Sequence, residues 1–269
     1  MFLSEKRIVA IFLLFYIPMQ VLGQENKNDL LALNKNKIKI SLSTVFYSNL
    51  KFIHNGYEYL NSDRLPSIVT NMLYHQSFKN GFGVNTGLGL SVVPQNANYN
   101  FSSSLNEPLM QQMNHKLYDI NYSLLLGEFP FSLQKIFLLR IKETKSLFAS
   151  FEVGLKYNFV LDNPYYIVSY IYPAQNTAEV FFRLDYYNFR TSLESYFIKF
   201  GLISPSGRKN TIHYNIVFNY SPKKILKGTY NFYFLPNESY GSFKQGINYI
   251  GLEFSYGFSR KQNKDINYQ

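Results

Sequence analysis

The chain has 269 residues, with 27 Lys and Arg against 17 Asp and Glu, 24 Tyr, 25 Phe, no Trp and no Cys. The absence of cysteine excludes a disulfide scaffold, a thiolate metal site, a Cys nucleophile and a lipid-anchored cysteine. The length suits one large β domain rather than two, and a formal charge of +10 without a basic stripe interleaved with aromatics gives no footprint for nucleic acid.

Residues 1–23 carry the pattern of a secretory signal peptide: Lys6 and Arg7, an apolar run over 8–17, and Val21-Leu22-Gly23 before Gln24. The apolar run is too short to favour a transmembrane helix. Residues 24–36 are polar and read as a periplasmic lead-in, 37–260 as the folded body, and 261–269 as a polar tail.

The body is organised by alternation. Over 147–161, Leu147, Ala149, Phe151, Val153, Leu155, Tyr157 and Phe159 share one face, while Ser150, Glu152, Gly154, Lys156 and Asn158 share the other. Only an extended chain sorts residues in this way. Ten segments repeat the design: 37–46, 68–78, 82–93, 118–126, 147–161, 179–189, 196–204, 211–220, 229–234 and 247–258. The faces of 68–78 look mixed. Elsewhere the apolar set is taken as outward, including Leu124 and Leu126, Phe182 and Leu184, and Tyr230, Phe232 and Phe234. Strands of ~9–11 residues with one apolar face and one polar face suit an oblique bilayer crossing. The expected fold is an all-β, closed antiparallel transmembrane β-barrel of ten strands, with eight as the alternative.

Connections alternate in length, as in outer-membrane barrels with long outer loops and short periplasmic turns. On the ten-strand reading 190–194 and 221–227 are turns. Two connections break the rule: 205–209 is short where a long loop is expected, and 127–146 is long where a turn is expected, with either an interfacial helix or extended strands filling it. The turn side then holds twelve basic residues, among them Lys79, Lys135, Arg190, Lys223, Lys224, Lys227 and Arg260, against four acidic ones, Glu194 included. Such a rim would meet lipid headgroups or an acidic periplasmic partner.

By the same parity the inward charges balance, with Lys37, Lys39, Lys156, Arg183 and Lys199 against Asp119, Glu152, Glu179, Asp185 and Glu253. Charges in a narrow lumen must pair, because desolvating one alone is expensive. These residues, with His213, form the candidate polar network of a mostly plugged interior. No metal-binding or nucleotide-binding motif is present, so no cofactor is expected. His115, Asp119, Glu179, His213 and Ser91 fall inward and toward the long-loop end, where a rim hydrolase would place its catalytic groups. Nothing in their spacing demands these residue types.

The strings SLFASFEVGLKYNFVLDN and INYIGLEFSYGF resemble the middle and final strands of the small outer-membrane β-barrel family common in Bacteroidetes, of OmpA-type architecture. The resemblance extends over roughly 37–260 and implies an outer-membrane location with lipids as neighbours. It departs at the end of the chain, where a polar tail follows Phe258. Three functional classes stay open: a structural, surface-binding or minor transport barrel; an outer-membrane rim hydrolase; and a secreted soluble barrel lined by its apolar faces.

Overall fold

The computed structural model describes residues 36–78, 81–101, 120–141, 146–162, 167–174, 177–206, 210–233 and 239–259. The expected signal peptide, nearly all of the lead-in and the polar tail lie outside them, as do Asp119 and His115.

Eight strands close into an antiparallel barrel: β1 (Lys37–Tyr47), β4 (Pro66–Ser77), β5 (Phe82–Tyr99), β6 (Ile120–Ile141), β7 (Ser146–Val160), β10 (Ser192–Ser206), β11 (Asn210–Tyr220) and β14 (Tyr249–Phe258). Their order is β5-β4-β1-β14-β11-β10-β7-β6, and β6 pairs back onto β5. Closure removes every free edge, so the barrel backbone is satisfied without solvent. A short strand, β3 (Leu60–Asn61), adds to the upper part of β5.

Alternation decides which face goes inside. Along β1 Lys37, Lys39, Ser41, Ser43, Val45 and Tyr47 are buried while the even positions are exposed. The pattern recurs cleanly on β4, including the segment whose faces looked mixed, and on β14. The outward residues are large and apolar, with Ile40 at 55%, Leu42 at 54% and Leu252 at 68% exposure. Inward glycines make room for neighbours. A Cβ at Gly201 would collide with the Asn215 amide, and one at Gly83 with the His75 ring. Gly81, with φ of 74°, completes the tight β4–β5 turn, where the Phe78 N–H donates to the Phe82 carbonyl.

The ten-strand expectation fails at two places. Segments 179–189 and 229–232 alternate as a barrel strand does, yet their apolar faces meet protein; Phe234 lies outside the described residues. They belong to a second, five-stranded sheet in the order β2 (Lys51–Gly56), β13 (Ser239–Gln245), β12 (Leu226–Phe232), β9 (Thr177–Phe189), β8 (Ile167–Ala174). Phe182, Leu184, Tyr230 and Phe232, expected outward, are buried in its aromatic core with Phe243 and Tyr59. The Phe182 and Phe232 rings sit 4.8 Å apart. Burial also pushes the Tyr230 phenol up to about 12, keeping it a neutral partner for His54 Nδ1. This sheet is built wholly from connections at one end of the barrel, and we call it the cap.

Losing two crossings reverses the ends assigned to several residues. Arg190, Lys223, Lys224, Lys227 and Glu194 lie at the cap end, because β9 and β12 do not cross. The exposed Lys223–Glu194 pair, at 2.8 Å, is there too. The short 205–209 connection is an ordinary turn-end link, which removes the first irregularity. The second disappears because 127–141 continues β6, a strand of 22 residues, rather than forming a helix. Leu124 and Leu126 point inward instead of outward. With Val45, Val93, Val217 and Ile225 they fill the barrel mouth beneath the cap.

The cap is expected to be separable from the barrel in stability. Phe182→Ala should cost ~3–5 kcal/mol of cap packing. Hydrogen exchange should then show faster exchange in β8, β9 and β12 with protection of β1, β11 and β14 unchanged.

Candidate functional site: the lumen network

Inside the barrel the inward side chains of all eight strands build one network of hydrogen bonds and ion pairs. Lys39 Nζ donates to Asn85 Oδ1 at 3.0 Å and to Gln134 Oε1 at 2.7 Å. Asn85 Nδ2 donates to Ser132 Oγ at 3.1 Å, which donates to Glu152 Oε1 at 2.6 Å. Lys199 Nζ lies 3.9 Å from the same Glu152 oxygen and 2.8 Å from Glu253 Oε2. The other Glu253 oxygen accepts from Asn215 Nδ2 at 2.8 Å. Glu152, Lys199 and Glu253 are all buried, and each carboxylate has a charged or amide partner, as the cost of desolvation requires.

A second node stands nearer the mouth. Lys156 Nζ donates to Glu128 Oε2 at 2.6 Å and to the Tyr249 hydroxyl at 2.8 Å. The Phe197 ring lies within reach of both ammonium groups, 5.6 Å from Lys156 and 5.2 Å from Lys199, so its π face bridges the two nodes. Above them lies the apolar mouth. Below, Ile136, Phe148 and Ile203 form a small apolar cluster toward the turn end. The lumen is therefore filled throughout, apolar at the mouth, ionic in the middle and mixed at the turn end, where this cluster stands beside Lys37, His75, Thr211 and His213, as expected of eight strands.

Of the residues expected in this network, Glu152, Lys156, Lys199, His213 and Glu253 face the lumen. Arg183 and Asp185 do not. They sit on β9 in the cap, with Arg183 Nε 2.8 Å from Asp185 Oδ2 and half-exposed. Glu179 is on β9 as well, and Asp119 lies outside the described residues. Glu128 was missed because 127–146 read as a connection. Continuing the parity of Glu152 and Lys156 across the β6–β7 pairing would have found it, since Pro130 pairs with Lys156 and Glu128 with Asn158.

Of the hydrolytic set, His115 and Asp119 lie outside the described residues, and His213 and Ser91 are not brought together. His213 lies at the turn end, where the hydroxyl of Thr211 is 2.9 Å from its Nε2. Ser91 pairs with Val69 and Leu126, level with the mouth cluster. Among the described residues no group of three or more His, Asp or Glu side chains is placed to hold a metal ion.

No protein-family model and no curated protein matches the chain. Solved structures that it resembles include the outer membrane protein OprG from Pseudomonas aeruginosa, at 13% identity and TM-score 0.39, covering 84% of this chain and 97% of that one. The attachment invasion locus protein Ail of Yersinia pestis aligns at 12% identity and TM-score 0.27, over 82% and 97%. The Pseudomonas putida toluene transporter TodX aligns at 8% identity and TM-score 0.28, over 91% and 95%. At such scores none of the three carries an argument. The resemblance to the Bacteroidetes family likewise rests on strand pattern alone.

The ionic layer gives a direct test. Lys199→Met leaves Glu253 and Glu152 without their cation and should destabilise by ~3–5 kcal/mol, whereas adding Glu253→Gln should restore part of that loss. Urea unfolding of the two single variants and the double variant measures the coupling, and strict additivity would mean that the pair does not interact.

Proposed function

We propose that this chain is an integral outer-membrane β-barrel protein whose plugged lumen is a structural core and whose cap is presented at the cell surface for binding. The observation that carries the reading is the inverted distribution of polarity: every barrel strand turns apolar residues outward and encloses Lys, Glu, Asn and Ser. In water that arrangement exposes a continuous apolar belt and buries charge, both unfavourable. In a bilayer both are satisfied.

The belt also has interfacial edges. Tyr157, Tyr196 and Tyr220 face outward near the cap, and Tyr74, Tyr214 and Tyr256 toward the turns. Tyrosine is favoured where an apolar ring meets a wet headgroup layer. Between them β14, at ten residues, has the length of an oblique crossing. Among the described residues no helix is long and apolar enough to cross, so strands would do so, with export directed by residues 1–23. Outer-membrane lipids are then the partners of the belt.

Minor transport is disfavoured by the layered plug, since a solute would have to break the Lys199–Glu253 pair and part the mouth cluster. A secreted barrel holding an apolar ligand needs an apolar interior, which the Lys39-to-Glu253 network contradicts. For a rim hydrolase, His213 and Ser91 stand at opposite ends of the lumen, and a non-enzymatic role is proposed. The acidic periplasmic partner keeps its motive: Arg190, Lys223, Lys224 and Lys227 are at the cap end together with Glu194, but the 205–209 link brings Arg208 and Lys209 to the turn end.

The chain is expected to stay with the outer-membrane fraction after carbonate washing and to migrate differently on a gel when unheated. Recovery from the soluble periplasm or medium would refute the membrane reading.

Depth in the belt makes a sharper comparison. Ile216→Arg, midway between the tyrosine edges, should destabilise by ~2–4 kcal/mol, and Tyr220→Arg at the edge by ~0–1 kcal/mol. Reversible unfolding in lipid vesicles measures both, and equal effects would contradict a bilayer around this face.

Planar-bilayer recordings of the purified chain should lack stable conductance steps. Steady open-channel currents would restore transport as the leading role.

A further inference from the structure

The turn end of the lumen contains a cavity in which the centre of a water-sized sphere has about 10 Å3 to move, room for roughly one small particle. Its polar lining is Lys37, Lys39, His75, Thr211 and His213, and no carboxylate among the described residues lines it. Ile136 and Ile203 complete the wall. Both lysines are buried, at 3% and 4% exposure.

The hydrogen bonds around the cavity leave it rich in donors. The Lys39 ammonium has three N–H groups. Two go to the neutral oxygens of Asn85 and Gln134, and the third is available to the cavity. Lys37 Nζ donates to Thr211 Oγ1 at 3.3 Å, so the Thr211 hydroxyl has its own proton to give, to His213 Nε2 or to an occupant. His75 Nδ1 lies 2.8 Å from Asn85 Oδ1, an acceptor, and therefore carries a hydrogen. The carboxylates next along the network, Glu152 and Glu253, are engaged by Ser132, Asn215 and Lys199.

We propose that this cavity is a binding site for one small inorganic anion of the chloride class, held by Lys39 Nζ and the Thr211 hydroxyl. The physical reason is charge. Lys39 is buried against neutral amides, and desolvating an ammonium group without a counter-charge is costly. An anion in the cavity would supply that charge, since no carboxylate among the described residues lines it. A cavity of that size suits a monatomic halide better than a four-oxygen sulfate. The inference depends on the inward face of the barrel and not on its membrane location or surface role.

The test uses the full chain refolded in detergent micelles. Its unfolding midpoint is followed in sodium chloride, bromide, sulfate and gluconate at matched ionic strength, for wild type, Thr211→Val and Lys39→Met. Chloride and bromide should raise the wild-type midpoint saturably by roughly 2–4 °C over gluconate, sulfate should match gluconate, and both variants should lose the halide-specific rise. Thr211→Val keeps both lysines, so the test survives if Lys39→Met does not fold. Crystals grown in sodium bromide should show an anomalous peak within hydrogen-bonding distance of Lys39 Nζ. Equal midpoints in chloride and gluconate, a halide rise undiminished in Thr211→Val, or bromide confined to exposed lysines would each overturn the proposal.

Discussion

The interaction on which this structure depends is the burial of Lys199 between Glu152 and Glu253. Eight strands close around a lumen barely wider than the side chains that fill it, so a charge placed there by parity cannot rely on bulk water. Its partner must come from another strand at the right height. Lys199 is on β10, Glu253 on β14 and Glu152 on β7, with Asn215 of β11 holding the remaining Glu253 oxygen. A slip of one residue in any of these pairings would turn the partner outward. The ionic layer thus ties charge compensation to register, and register to the exposed apolar belt.

The apolar layer at the mouth has a different cause. Near the barrel mouth the inward positions change from Lys, Glu and Asn to Val45, Val93, Leu124, Leu126 and Val217, and these meet Ile225 and Ile247 from the connections above. An inward leucine there is favourable because the cap covers it. The aromatic cap core beginning at Leu50 and Ala97 continues the same logic outside the barrel. The amide of Gln245 on β13 accepts from Gln95 and donates to the Pro94 carbonyl, so the cap is also fastened to β5 by polar contacts. Long connections condensed into a sheet give a preorganised surface rather than loose loops, which suits recognition at low entropic cost.

Much of the barrel was legible because alternation is a local property. On β1, β10, β11 and β14 each outward and inward residue follows from parity, and Glu152, Lys156, Lys199, His213 and Glu253 were placed in the lumen on that ground alone. Two kinds of residue escaped. Glu128 lay in a stretch that read as a connection, although Phe129, Phe131 and Leu133 alternate there with Glu128, Ser132 and Gln134; only beyond Lys135, where both faces turn apolar, does the period fade. Phe182 and Phe232 lay in segments whose alternation was clear but whose partner was not.

The order of residues along the chain therefore determined the strand character, the polarity of each face and the need for the inward charges to pair. Those follow from an extended backbone and the cost of desolvation. Only the tertiary structure decided that eight strands close the barrel, that β9 and β12 leave it, and which end carries Arg190 and Lys223. The reason is physical: alternation reports that one face of a strand is apolar, and lipid and a second layer of protein satisfy such a face equally well. The choice between them is made by which strands find hydrogen-bonding partners, and that is a property of the closed sheet and not of any segment within it.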